Sequence, residues 1–507
     1  MNNEINSKQI HVEELHTRIE KSRTRQAFEN SWERFRTGLK DWHREKAWDQ
    51  ISFDIAIVFF LVMISMFIRV LLAYQFRVNW GYQKEGSIWN WNLPFNIGGT
   101  YIEGFADFGY YYHSWITSWY EQNWYPYEWA EPFDELDFYS YPPVFLYFLI
   151  MTWRPGMTNF WMAFPMILAD ASCAGVVYLI LKDIIKDKRK RGIAFFGGFL
   201  MALAPINVIY DGIWWLNPGP VTILTLVAFY FAIKKKWWQA FFWLAVATMT
   251  KQNALFFSYP MFMVMLGEKT RNKSILEAII ESVMNALLFV GVALVLSVPW
   301  IFISPVQYGR HMLFPGKPIE LSTVIVDPPS NQCVSFSRSL LEVGIGGIIA
   351  SIAAFGINSM LLMVLSATLI AIPMLWRSFK GKLDGIEFFE WIAMYTILTH
   401  IFMPRGVYKF YTAYYVPMIL IAIIGSFSYL AKNEKFLPIG LILASFLFIG
   451  FNIWLITINR LLVPFYLFMV ALSIGFIAIL RTFFRPEAIQ GNNYRRLIQF
   501  FDSKVSE

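Results

Sequence analysis

Cysteine is almost missing from this chain. Cys173 and Cys333 are the only two in 507 residues, one inside an apolar run and one in a loop, so thiols can build neither a disulfide framework nor a metal site. Charge is also scarce: Asp, Glu, Lys and Arg make up 16% of the residues, where a soluble domain carries about 25%. Lipid rather than water is therefore the expected main solvent. No glycine-rich turn stands in an α/β setting, which argues against a nucleotide-sugar donor. Short alternating strand segments are lacking, which argues against a membrane barrel. Internal repeats, low-complexity tracts and Pro- or Gly-rich linkers are lacking as well, so nothing marks a second soluble domain.

Apolar residues are abundant. The chain is 56% hydrophobic and 19% aromatic, with a positive mean hydropathy, and runs able to cross about 30 Å of hydrocarbon recur from Ile51 to Arg481. An all-α, polytopic transmembrane bundle of about 11–13 spans is expected. The net charge of +7 does not point to nucleic acid, because the basic residues sit in short clusters beside the apolar runs, where the positive-inside rule puts them. The clusters Lys182 to Arg191, Lys234 to Lys236, Lys269 to Lys273, Arg377 to Lys382, Lys432 to Lys435 and Arg481 to Arg496 are assigned to the cytoplasm, together with the basic N-terminal segment. Spans at 52–74, 157–181, 193–209, 212–233, 237–250, 252–266, 276–303, 356–377, 385–403, 411–431, 436–458 and 462–482 then alternate without conflict, giving twelve crossings.

The organisation that follows has five parts. Residues 1–50 form a cytoplasmic segment in which Trp32, Phe35, Leu39 and Trp42 suggest an amphipathic helix; the first apolar run comes too late for a cleaved signal and should act as an anchor. Residues 51–303 form a core transmembrane module with a first outer loop at 75–140, residues 304–355 a second outer loop, 356–482 the C-terminal helices and 483–507 a cytoplasmic tail. Both large loops are non-cytoplasmic and are expected to carry juxtamembrane helices. Tyr141 to Trp153 is too short to span and reads as a re-entrant or half helix, with Pro142 and Pro143 fitting its start. Lys251 interrupts two short apolar runs, which suggests a helical hairpin with Lys251 at its outer tip.

Acids and aromatics mix in the first outer loop. Glu103 and Asp107 lie in EGFADFGYYYHSWITSWYEQNWYPYEW, followed by Glu131, Asp134, Glu135 and Asp137 and then by SYPPVFLY. The aromatics alone fit an interfacial helix; the acids need another account. The acids from Glu128 to Asp137 read as solvated loop residues or, through their hard oxygens, as a divalent-cation site; no other metal site is suggested.

In order along the chain stand Asp107 with Tyr110 to Tyr112 and His113, Pro126-Tyr127, YPP at 141–143, LAD at 168–170, LAPINVIYDGIW at 203–214, TKQNALFFSYP at 250–260 and RGVYKFYTAYYVP at 405–417. In this order and topology, over roughly residues 50 to 420, the chain resembles the polyprenyl-phosphate-sugar-dependent glycosyltransferases of GT-C type, which include dolichol-phosphate-mannose and -glucose users and the protein O-mannosyltransferases. In that fold seven spans precede the second large outer loop, and the charge-based topology also gives seven.

The resemblance implies transfer of one sugar, mannose or glucose, from a polyprenyl or dolichyl monophosphate to a hydroxyl of a lipid-linked glycan or protein on the non-cytoplasmic face of the endoplasmic reticulum or plasma membrane. It implies single displacement with inversion. A phosphate-linked sugar leaves as a stable anion, so one base suffices where a glycosidase needs two carboxylates. Asp107 is the implied base, and Glu103, one helical turn earlier, its substitute. Lys251, Arg310, His311, Arg405 and Lys409 are the candidate cations for the lipid phosphate; Tyr141, His113, Asp211 and Asn217 join them as substrate-binding candidates. A Lys between apolar runs is itself a functional signal, whereas Arg310 and Arg405 also read as headgroup contacts. Asp170 reads as a buried structural partner and His400 as a structural histidine. The rival readings are a secondary transporter and a lipid-linked oligosaccharide ligase or polymerase.

Overall fold

The computed structural model describes residues 47–78, 82–83, 108–121, 126–127, 139, 141–313, 334–345, 359–403, 406–430 and 437–483. Contacts divide the chain into two units, Met1–Phe59 and Phe60–Glu507. Among the described residues the structure is helical apart from a two-residue antiparallel ladder, Arg77–Val78 with Tyr82–Gln83, and one bridge between Val334 and Val407.

The helices are α1 (Ala47–Phe76), α2 (Ser114–Glu121), α3 (Pro143–Thr152), α4 (Asn159–Ile184), α5 (Lys190–Ala202), α6 (Pro218–Ile233), α7 (Trp237–Thr250), α8 (Ser258–Asn272), α9 (Ile275–Ile303), α10 (Pro305–Leu313), α11 (Phe336–Glu342), α12 (Ser359–Phe379), α13 (Gly385–Ile401), α14 (Val416–Leu430), α15 (Leu437–Thr457) and α16 (Val463–Phe483). Seven stretches are long and apolar enough to cross a membrane: Ser52–Gln75, Asn159–Ile184, Lys190–Ile213, Ile275–Ile303, Met360–Phe379, Leu437–Thr457 and Arg460–Arg481. This is a helical membrane protein. The other five expected spans have helical counterparts, but α6, α7, α8, α13 and α14 are only 14 to 17 residues long. The run expected at 193–209 continues as a helix-rich stretch to Ile213.

Large apolar side chains stand outward on the long helices, as lipid permits and water would not. On α9, Phe302 and Val295 are 82% and 70% exposed. Inside, α4 packs against α5 and α6, α6 against α7, and α13 against α12, α14 and α16. Helix α3 begins as its sequence suggests, with proline in its first turn. Protein covers its first half and Leu149: Phe145, Leu146 and Leu149 are fully buried, and Tyr147 donates to the Leu296 carbonyl and accepts from Trp300 of α9. The hairpin expected around Lys251 is not a packed pair. Helix α7 lies on α6 and α9, while α8 lies mainly on α12.

The amphipathic stretch from Trp32 to Trp42, most of the first outer loop, much of the second outer loop and the tail after Phe483 lie outside the described residues.

Candidate functional site

The polar centre of the bundle starts from an arginine inside an apolar helix. Arg69 of α1 is fully buried, so its charge must be met within the protein. Its Nε donates to Asp170 Oδ2 of α4 at 2.5 Å, and its Nη1 donates to Ser65 Oγ at 2.7 Å and to the Ala202 carbonyl at 2.9 Å. Asn207 continues the chain of bonds. Its Nδ2 donates to Asp170 Oδ1 at 2.9 Å and to Asp211 Oδ2 at 3.4 Å. The other oxygen of Asp211 accepts the backbone N–H of Gly219 at 3.0 Å, at the start of α6. Asp170 thus has the structural partner role expected of it, and its partner is Arg69.

The backbone between Asn207 and α6 is unusual in two ways that serve this geometry. Residues Val208–Ile213 form a π-helical turn, a departure that often marks functional positions. Trp215 then takes a left-handed backbone, φ 63°, although it is large and fully buried; such a conformation costs on the order of 1–3 kcal/mol and persists only where packing fixes it. The ring of Phe108, 5.0 Å away edge to face, packs against it. The turn delivers Asn217 to the N-cap of α6.

Lys251 meets Asn217 there. It follows α7 in extended conformation and is only 4% exposed, not the exposed outer tip that its sequence context suggests. The burial has a physical reason: the ammonium lies 5.0 Å from the centre of the Tyr141 ring, 4.7 Å from Tyr411, 5.1 Å from Tyr414 and 5.9 Å from Phe410, and ring faces attract a cation more strongly once water is excluded. Lys251 Nζ donates to Asn217 Oδ1 at 3.0 Å, and Tyr414 donates to the same oxygen at 3.1 Å. Such a cradle holds a positive charge in place by neutral groups.

The structure therefore brings together Tyr141, Asn217 and Lys251, with Asp211 bonded into the same start of α6. Lys409 belongs elsewhere. It is buried, and its ammonium is taken by the carbonyls of Ile456, at 3.0 Å, and Ile458, at 2.5 Å, where it caps the C-terminal end of α15. His113 ends a π-helical turn, Phe108–His113, and rests edge to face on Trp153 at 5.8 Å. Burial pushes its pKa below the ordinary value, against the pull of Glu121. Arg310 and His311 lie on α10, with their side chains outside the described residues, and Asp107, Glu103, Arg405 and the acids from Glu128 to Asp137 lie wholly outside them. Among the described residues no group of three or more His, Cys, Asp or Glu could hold a metal ion.

Sequence reasoning missed Arg69, although an arginine inside a run of apolar residues is a direct signal. It also missed Tyr411 and Tyr414: the RGVYKFYTAYYVP segment was read for its cations, whereas its aromatic rings are what reach Lys251. No protein-family model and no curated protein matches the chain.

Proposed function

We propose that this membrane protein is a glycosyltransferase of GT-C type, with about twelve crossings, that moves one sugar from a polyprenyl or dolichyl monophosphate to an acceptor hydroxyl on the non-cytoplasmic side. One observation carries the reading. Four of the segments on which the resemblance rests, or residues just beside them, meet at a single ammonium: Tyr141 from YPP, Asn217 three residues beyond LAPINVIYDGIW, Lys251 from TKQNALFFSYP, and Tyr411 and Tyr414 from RGVYKFYTAYYVP.

In the reaction the acceptor oxygen attacks the anomeric carbon as the bond from that carbon to the phosphate oxygen breaks. The electron pair leaves on the lipid phosphate, and the acceptor proton passes to a carboxylate, which the resemblance assigns to Asp107 with Glu103 as substitute. Lys251 faces the charge that develops on the phosphate. A fixed cation in a dry cradle needs little reorganisation as that charge grows, and such electrostatic groups are usually large catalytic contributors.

The test is transfer from labelled polyprenyl-phosphate mannose and glucose to endogenous lipid and protein acceptors, in membranes holding wild type, Asp107→Ala or Lys251→Met at equal protein level. Transfer by wild type that both variants lose supports the reading. Absence of transfer from every donor, with solute uptake into vesicles, overturns it in favour of a transporter. The buried Arg69, Asp170, Asn207 and Asp211 chain is the observation that favours that second reading, since two carboxylates and a guanidinium among apolar helices are what a proton-coupled carrier would use.

A further inference from the structure

Beside the Lys251 cradle lies a cleft bounded by α6, the turn Gln252–Phe257, α13, the turn Lys409–Tyr414 and α14. Tyr411 and Tyr414 line it and also face Lys251, so the two sites share a wall. None of its lining residues carries a carboxylate, ammonium or guanidinium.

Residues that line the cleft carry buried polar atoms with no hydrogen-bond partner among the described residues. Thr residues in apolar helices ordinarily turn their hydroxyl back to the carbonyl four residues earlier, and here Thr396 and Thr399 do so, to Ile392 and Tyr395. Thr222 and Thr225 of α6 are each 1% exposed and line the cleft, yet neither hydroxyl has a hydrogen-bond partner among the described residues. Their spacing of three puts both on one face of the helix. His400 of α13 bonds Tyr415 through Nδ1 at 3.2 Å, while its Nε2 has no partner among the described residues. Three buried polar atoms on two helices therefore belong to residues that line one cleft, whose remaining walls are largely aromatic and apolar.

We propose that this cleft binds an uncharged sugar ring, with Thr222, Thr225 and His400 as its hydrogen-bonding groups and the aromatic walls as the platform for its apolar face. An ion would find no opposite charge there. A hydrocarbon chain would leave the three polar atoms dry. A sugar matches both kinds of wall, as ligand sites generally combine apolar area with a few placed polar groups. That this sugar belongs to a lipid-phosphate donor whose phosphate meets Lys251 rests on the glycosyltransferase reading; the binding itself does not.

The experiment uses the full-length protein in nanodiscs and a tritiated, photoreactive alkyl glucoside and alkyl mannoside, with the same alkyl chain bearing an oligo(ethylene glycol) head as control. Expected is labelling within 252–257 and 395–403 that excess sugar ligand competes away. In Thr222→Val/Thr225→Val it falls about three- to tenfold, as the loss of one or two ligand hydrogen bonds would give. The thermal midpoint of that variant stays level or rises, because each removed hydroxyl has no partner among the described residues. Equal labelling by the glycol control, labelling untouched by the variant, absence of labelling, or a lowered midpoint in the variant would each overturn the proposal, pointing in turn to a lipid-chain slot, a different site, water alone, or a structural role. Competition by free mannose or glucose assigns the cleft to a soluble sugar, and competition only by the alkyl glycosides assigns it to a lipid-linked one; both support sugar binding. Sugar-competed labelling in a protein that transfers from no donor would leave this inference standing while the transferase reading falls.

Discussion

At the scale of single residues, Lys251 and Arg69 are two buried cations with opposite arrangements. Arg69 is locked by a carboxylate and two carbonyl or hydroxyl acceptors, so its work is to hold α1 to α4. Breaking such a buried pair from one side typically costs about 3–5 kcal/mol. Arg69→Met should therefore lower the melting temperature of the solubilised protein sharply, and Arg69→Met/Asp170→Asn should regain part of the loss; equal midpoints for wild type and the single variant would refute the pairing. Lys251 sits among rings and an amide oxygen instead. Lys251→Met keeps the volume of the side chain and removes the charge. On the proposed transferase reading it should reduce donor transfer by about 10² or more, in the range seen when one electrostatic catalytic group is removed, with a much smaller effect on thermal stability than Arg69→Met. His113 gives a pH signature. Its folded pKa is below the unfolded one, so the unfolded chain binds more protons in that window and stability falls as pH drops below about 6.5. His113→Phe should flatten the melting temperature between pH 7 and pH 5.5 relative to wild type.

At the scale of elements, the approach of α6 to α4 depends on a residue without a side chain. A Cβ on Gly219 would lie 2.8 Å from the Met166 carbonyl oxygen, 2.9 Å from Asp170 Cβ and 3.0 Å from Asp170 N, and backbone cannot step aside as a flexible side chain can. Gly219→Ala should destabilise by about 1–3 kcal/mol and disturb the N–H bond to Asp211, read as a lowered thermal midpoint; an unchanged midpoint would show that the helices have slack. How far this was legible in the sequence follows from the kind of signal each element leaves. Long apolar runs such as 275–303 announce themselves by length, and Pro142-Pro143 announced the start of α3. The breaks at 208–217 and 251–257 leave no periodic signature, because π and 3-10 turns and a left-handed Trp215 are set by tertiary packing. Lys251 was legible as a charge out of place, but its rings were not, since Tyr141, Tyr411 and Tyr414 meet it across more than a hundred residues of chain.

At the scale of the whole molecule, charge ties the helices together at one end of the bundle. Arg481 of α16, fully buried, donates to both oxygens of Glu390 on α13 and to Asp384 ahead of α13, while Arg377 of α12 grips Glu387 at 2.6 and 2.9 Å and Ser426 of α14 donates to Glu390. Four helices share this cluster. Arg481→Met should destabilise strongly, and Arg481→Met/Glu390→Leu should recover most of the loss, because apolar replacement of a whole buried pair is often close to neutral. The positive-inside assignment puts the cluster at the cytoplasmic end. In a Cys333→Ser background, Lys235→Cys and Asn433→Cys should react with an impermeant thiol reagent from the cytoplasmic side only, and Gly309→Cys from the opposite side only.

The Arg69 to Asp170 pair also has a consequence for how the chain is made. The two residues are 101 positions apart, and a ribosome adding roughly 5–20 residues per second takes on the order of 5–20 s to travel between them. For that interval α1 exists with its guanidinium and without its carboxylate. Until α4 arrives, the apolar length of Ser52–Gln75 must offset the cost of that unpaired charge.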